Sequence, residues 1–246
     1  MRPFNARSLV LSLLLGLDPP VLPVRSLVDL GSLFGIAAGT MRTALSRMVT
    51  AGELVADADG YRVVGRLLER KGAQDIGRRP APRPWDGEWT VAVVIAPRRS
   101  VGERRAFRTH MANVRMGELR PDTWLRPANL APPAGGDGLA VVRGPLEGVD
   151  DAAGLAGRLW PLQDIATTAE TLTRRLDAML GALDGRPADA VPPMITLAAE
   201  VVRFLRAEPL LPAPLVAQPW PPDELRERYR TFDRALGRTM RVVARA

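Results

Sequence analysis

The 246-residue sequence contains no cysteine, a single histidine (His110) and a single lysine (Lys71). Without cysteine, disulfides, zinc fingers and thiol catalysis are excluded together. One histidine rules out His-rich metal sites and leaves a Ser-His-Asp triad only one base to draw on. Long apolar runs are also lacking. Leu9 to Leu17 is too short to span a bilayer. Arg2 and Arg7 precede it as in a secretory signal, but Asp18-Pro19-Pro20 follows with no small-x-small cleavage site. The expectation is a cytoplasmic protein with no membrane partner and no cofactor.

What the chain has in quantity is arginine. Lys+Arg number 34 against 27 Asp+Glu, a net charge of +7. The bias toward Arg, Ala, Gly and Pro partly reflects nucleotide composition, yet a moderate basic excess suits a nucleic-acid partner. The length predicts two or three domains.

The stretch from Gly35 to Ala51, followed by ELVADADGYRVV, organises the rest. A sharp turn at Gly35 leads into a segment where Met41, Ala44, Leu45 and Met48 recur at three- and four-residue steps, one face of a helix. The opposite face carries Thr40, Thr43, Ser46, Arg47 and Thr50, with Arg42 at its flank. Short hydroxylated side chains with arginines between them make a slim hydrogen-bonding face that can enter a major groove. Gly52 ends the helix. Leu54-Val55 and Tyr61 to Val64 then read as two strands around an Asp-Ala-Asp-Gly turn, with Arg62 able to reach a phosphate or to stay solvated. Helix, turn, helix, hairpin is the order of a winged helix-turn-helix; an ordinary amphipathic helix in a small helical domain is the competing reading.

Ala6 to Leu17 and Val24 to Phe34 are predicted to supply the other two helices of that core. Gly65 to Arg79 reads as a connecting helix, and the alternating prolines of Pro80 to Pro84 as a stiff linker. Thr90 to Ala96 is a buried strand by composition, Val101 to Val114 a helix, and Gly117 to Leu119, Thr123 to Leu125 and Leu139 to Arg143 short strands. That order suggests a small ferredoxin-like α+β domain. From Asp164 the chain turns helical, with helices expected around Ile165 to Leu183, Met194 to Arg206 and Pro221 to Leu236. The predicted class is α+β, with domains at 1–79, 80–160 and 161–246.

Several separated segments resemble one family, the PaaX-type transcriptional repressors associated with phenylacetic acid degradation. They are MRTALSRMVTAGELV at Met41 to Val55, PWDGEW at Pro84 to Trp89, the stretch from Met116 to Pro127, and RFLRAEPLLPAPLVAQPWP at Arg203 to Pro221. The resemblance implies an N-terminal winged helix, a central ferredoxin-like domain related to the small CRISPR-associated nuclease of spacer acquisition, and a C-terminal helical domain. It implies repression of a catabolic operon, relieved by an aryl-CoA or acyl-CoA effector, and a homodimer on the inverted-repeat operator of double-stranded DNA. Carried over by position, Arg42, Thr43, Ser46 and Arg47 would face the groove.

An enzyme is not expected. The related nuclease carries an aspartate at the end of its first strand, whereas here Val93 to Ala96 runs into Pro97-Arg98-Arg99. The nearest carboxylates, Asp86 and Glu88, precede the strand, and a two-metal site needs closely placed carboxylates. His110, beside Phe107, Met111 and Val114, reads as a structural or surface residue. The five tryptophans read as packing residues. Arg203 and Arg206 fit CoA phosphates and a solvated helix face equally well, so the effector residues stay unassigned. The alternatives to a repressor are an interaction protein whose winged helix meets protein, and a metal-dependent nuclease.

Overall fold

The computed structural model describes residues 4–78, 83–95, 100–133, 138–183 and 187–243. Pro80 to Pro82 of the expected linker, the expected strand end at Ala96 and part of the loop before Leu139 lie outside them. The described residues form helices and two antiparallel sheets, an α+β fold. They divide into two compact units, Met1–Asp75 with Leu172–Arg203 and Glu227–Ala246, and Ile76–Thr171 with Phe204–Arg226.

In the first unit, α1 spans Ala6–Gly16, β1 Val21–Leu22, α2 Val24–Ser32, α3 Ala38–Thr50, β2 Leu54–Asp57 and β3 Gly60–Val63. Asn5 and Ser8 cap α1 reciprocally, Ser8 N–H donating to Asn5 Oδ1 at 2.8 Å and Asn5 N–H to Ser8 Oγ at 2.9 Å. Leu9, Val10 and Leu14 of α1, Leu27 of α2, and Met41 and Leu45 of α3 are fully buried. These are the apolar faces the three- and four-residue spacing predicts. The three strands run in the order β1-β3-β2. The hairpin was legible in the sequence; β1, two residues between prolines, was not. It pairs Val21 with Arg62 and Leu22 with Tyr61.

The second unit is built on a four-stranded sheet of β4 (Trp89–Val94), β5 (Gly117–Arg120), β6 (Thr123–Pro127) and β7 (Leu139–Gly144), in the order β5-β6-β4-β7. Between β4 and β5 lies α5, Val101–Asn113, and before β4 lies α4, Arg66–Arg78, which crosses from the first unit. Strand alternation sends Ala92 and Trp124 to one face, where Phe107 and Met111 of α5 cover them. Trp89 and Leu125 point to the other, where Leu155 and Ala156 cover them with Leu211 and Leu215. Leu155 and Ala156 belong to α6, Ala152–Leu159, a helix the sequence reading did not pick out; Leu215 closes a single 3-10 turn at Ala213–Leu215. The tryptophans are packing residues in part: Trp89, Trp124 and Trp220 are buried, and Trp85 meets Trp89 edge-on at 6.0 Å.

The remaining helices are α7, Leu162–Gly181, α8, Pro187–Ala207, and α9, Pro221–Val243, each contributing residues to both units. One boundary differs from expectation. The sequence predicts a helix from Met194, but α8 begins at Pro187 and runs through Pro192 and Pro193. Proline's fixed φ is helical, but inside a helix it forgoes a hydrogen bond and crowds the carbonyl four residues back; Val191 and Met194, which flank the pair, are fully buried.

A polar knot holds the segment after α8 in the second unit. The Glu208 carboxylate is buried, and the guanidinium of Arg226, in α9, donates to it. Arg226 also donates from Nε to Gly77 O at 3.0 Å and from Nη1 to Asp223 Oδ1 at 2.6 Å. Arg115, itself buried, donates to the backbone carbonyls of Glu208 at 3.0 Å and Leu205 at 3.3 Å. Asn129 Nδ2 donates to Leu210 O at 2.8 Å, where Leu210 takes a positive φ of 58°. Burial pushes the Glu208 carboxyl above its ordinary 4.5, and Arg226 pulls it back. Burial also lowers Arg126, on the central strand β6, to about 10.

Removing Arg226 strands that carboxylate. Arg226→Met is expected to cost about 3–5 kcal/mol, the penalty of an uncompensated buried charge. The folded variant escapes that charge by keeping Glu208 protonated at pH values where the unfolded chain has lost the proton. Its stability therefore falls as pH rises above about 4.5. Thermal denaturation of both proteins at several pH values measures this. A variant melting with wild-type stability and pH dependence would contradict the argument.

Candidate nucleic-acid interface

The elements before and after α3 fix how it presents its outer face. At the end of α2, Ile36 N–H donates to Gly31 O at 3.0 Å and Gly35 N–H to Ser32 O at 2.9 Å, with Gly35 at φ 70°. This paired closure needs a left-handed residue, which glycine supplies without a Cβ penalty. The same pair of bonds closes α3, from Glu53 N–H to Met48 O and from Gly52 N–H to Val49 O, both 2.9 Å. Both ends of the segment are thus stopped by hydrogen bonds rather than frayed.

Met41, Leu45 and Met48 are buried, while Thr40, Arg42, Thr43, Ser46, Arg47 and Thr50 are all exposed. Helical geometry sets Thr40, Thr43, Arg47 and Thr50 along one ridge and Arg42 and Ser46 along the next. Thr50 Oγ1 donates to Ser46 O at 3.1 Å, so outward it offers lone pairs only. Among the described residues, Thr40, Thr43 and Ser46 spend no hydroxyl inside the protein, and no carboxylate pairs with Arg42 or Arg47. That face therefore has donors, acceptors and two cations to give to a ligand.

Arg62 stands apart, half-exposed on β3, where its guanidinium makes an ion pair with Asp57 of the neighbouring strand. The hairpin turn holds itself, Asp59 N–H donating to Asp57 Oδ1 at 2.9 Å. What the sequence reading missed is the brace behind α3. Arg7 of α1 donates from Nε to Glu53 Oε2 at 3.0 Å, and its Nη2 meets Oε1. That hydrogen bonding holds the Glu53 carboxyl below its ordinary range and raises Arg7. Their separation of 46 residues carries no local signal.

In the second unit, the two carboxylates weighed as metal ligands serve an arginine instead. Asp86 Oδ2 accepts from Arg143 Nη2 at 3.0 Å, and Glu88 Oε2 accepts from Arg143 Nε. The Asp86 carboxyl is held below its ordinary range first by the Glu88 N–H at 3.1 Å and then by Arg143. Among the described residues no three His, Asp or Glu side chains gather as a metal site. His110 is exposed on α5.

Two family descriptions match in order along the chain: "PaaX-like protein" over residues 5–71 and "PaaX protein central Cas2-like domain" over residues 82–134. The chain belongs to the PaaX-like family. A solved structure, the uncharacterized protein Rv0674 from Mycobacterium tuberculosis, is similar to this PaaX-like chain at 36% identity with a TM-score of 0.74. That similarity covers 97% of this chain and 98% of the other. No curated protein matches it. Among the described residues no helix of this PaaX-like chain is long and apolar enough to cross a membrane.

The hairpin's attachment to β1 rests on Gly60. At φ 128°, a Cβ there would stand 2.2 Å from the Leu22 carbonyl oxygen. Gly60→Ala is expected to cost about 1–3 kcal/mol and to speed amide exchange at Tyr61 and Val63, whose N–H groups alternate toward β1. Wild-type protection at both amides would show that the contact does not hold the hairpin.

Proposed function

We propose that the chain is a sequence-specific, DNA-binding repressor of a catabolic operon, working in the cytoplasm as a homodimer. The observation that carries this is the outer face of α3. It is slim, hydroxyl-rich and free of carboxylates, on a helix whose other side is locked in a core. On this reading α2, the Gly35 turn, α3 and the β2–β3 hairpin are a winged helix-turn-helix, and α3 lies in the major groove. Thr40, Thr43, Ser46 and Thr50 then meet base edges or phosphates, while Arg42 and Arg47 supply bidentate donors for which guanine is the commonest partner. Arg62 touches the backbone by exchanging Asp57 for a phosphate. That exchange costs little, since an exposed ion pair is worth about 0–1 kcal/mol.

The central sheet supports a ferredoxin-like reading of the second unit. Its order, second-third-first-fourth in chain sequence, is what a split βαβ pair yields. The described residues between β6 and β7 form no helix, and α6 covers the face opposite α5. The function of this unit on the present reading is a platform for dimerisation and effector response rather than catalysis. Asp86 and Glu88 are engaged by Arg143, whereas phosphodiester cleavage by two metals needs carboxylates free to ligate. An aryl-CoA or acyl-CoA effector releases DNA by binding better to a dimer whose reading helices no longer match the half-site spacing.

Gel-shift titration against the chain's own upstream intergenic DNA, with unrelated duplex as competitor, tests the reading. Arg47→Ala is expected to weaken specific binding by about 1–3 kcal/mol and to relax preference at one base pair. Phenylacetyl-CoA is expected to abolish the wild-type shift. No specific shift at any salt concentration would transfer the α3 face to a protein partner. Incubation with Mg²⁺ or Mn²⁺ is expected to leave DNA intact; metal-dependent cleavage that survives stringent purification would restore the nuclease alternative.

A further inference from the structure

From Glu227 onward, α9 belongs to the same compact unit as α3. Arg230, Arg234, Arg238 and Arg241 follow one another there at steps of four, four and three residues, and all four are exposed. At 3.6 residues per turn they share an arc of about 80°, a ridge running about 16 Å along the helix. Tyr229, Phe232, Ala235 and Leu236 are buried on the opposite face, so the direction of the ridge is fixed by the core.

Elsewhere in this unit several exposed arginines meet carboxylates: Arg7 with Glu53, Arg25 with Asp29, Arg175 with Glu200 and Arg228 with Asp177. Among the described residues, Arg230 alone of the ridge does so, with Glu227 of its own helix. Arg234 donates to the Arg230 carbonyl and to Thr231 Oγ1, each at 3.3 Å. Arg238 and Arg241 have no acidic partner among the described residues. Like charges at four-residue steps repel, which weakens a helix rather than supporting it. The helix dipole favours cations only within the last turn, which covers Arg241 and leaves Arg234 and Arg238 unexplained.

We propose that this ridge is a second nucleic-acid contact, gripping the phosphate backbone of duplex DNA without reading sequence; the proposal rests on the DNA-binding reading of α3. A duplex strand carries one phosphate per ~3.4 Å of axis, so a ridge ~16 Å long spans about five of them. Each guanidinium can take a phosphate through two parallel hydrogen bonds. An interfacial membrane helix would need its apolar face free for lipid, and that face of α9 is buried. A protein partner would be anchored by aromatic or aliphatic side chains in pockets, and the ridge offers charge alone.

The test uses the full chain carrying Arg234→Gln, Arg238→Gln and Arg241→Gln, titrated with an unrelated duplex and with its own upstream DNA between about 50 and about 200 mM KCl. Affinity for both duplexes is expected to fall together, by about ten- to a hundredfold. The slope of log affinity against log salt should become shallower by about 2–3, near 0.9 for each phosphate lost. The triple Arg→Lys variant is expected to keep the wild-type slope, because charge count sets it. If the triple Gln variant fails to fold, Arg238→Gln alone should lower the slope by about 0.9. An unchanged slope, or a loss confined to the upstream DNA, overturns the ridge while leaving α3 as the reader. A wild-type protein that binds neither duplex at about 50 mM salt overturns the DNA reading itself and the ridge with it.

Discussion

One buried carboxylate dictates how the chain after α8 must run. Glu208 sits where water cannot solvate it, so a cation has to be delivered to the same place, and Arg226 delivers it from the next helix. The indole N–H of Trp220 lies near enough to lower the carboxyl's pKa, without reaching hydrogen-bond geometry. Breaking such a pair costs several kcal/mol because it strands a charge, even where the intact pair contributes little net stability. The surrounding backbone obeys that arrangement. Gly77, Leu205 and Glu208 turn their carbonyls to arginines, and Leu210 accepts a left-handed conformation beside the amide of Asn129. Segments from three distant parts of the sequence are thereby fixed around the central sheet. By contrast, the pairs of Arg143 with Asp86 and Glu88 lie at the surface, where water solvates both charges and strands neither.

The first unit achieves its order by different means. Its helices carry apolar stripes that meet in a core, and its turns are closed by backbone hydrogen bonds at Gly35 and Gly52. Among its ion pairs at the surface, the Arg7–Glu53 brace ties α1 to the residue behind α3. The exposed face of such a helix does not need its own stabilising contacts. Its hydroxyls and guanidinium groups are left for a ligand, and this is the physical content of calling the face a candidate site.

How much of this was legible in the sequence follows from the range of the interactions. The apolar period of Met41, Leu45 and Met48, the Gly35 turn and the Asp-Ala-Asp-Gly hairpin are local, and their helix and strands appear within a few residues of where they were read. β1 was missed because two residues between prolines have no period; it exists through pairing with β3. α6 was missed because AAGLAGRL is short and mostly small residues, helical once Leu155 and Ala156 pack on the sheet. The early start of α8 ran against the usual reading of a Pro-Pro pair. Non-local ion pairs such as Arg226–Glu208 and Arg7–Glu53 leave no trace in spacing. The six exposed residues of α3 were readable because a helix turns its polar face outward whenever the other is apolar. What they bind was not in the periodicity.

The lone lysine sits on α4, nearly buried, with its ammonium 2.6 Å from Asp75. Every other cationic side chain is a guanidinium or His110. Guanidinium groups stay charged throughout the physiological pH range, and acetylation of lysine, the common way a cell erases positive charge, finds no exposed lysine side chain among the described residues. Acetylating lysines therefore cannot lower the positive charge of the exposed surface among the described residues.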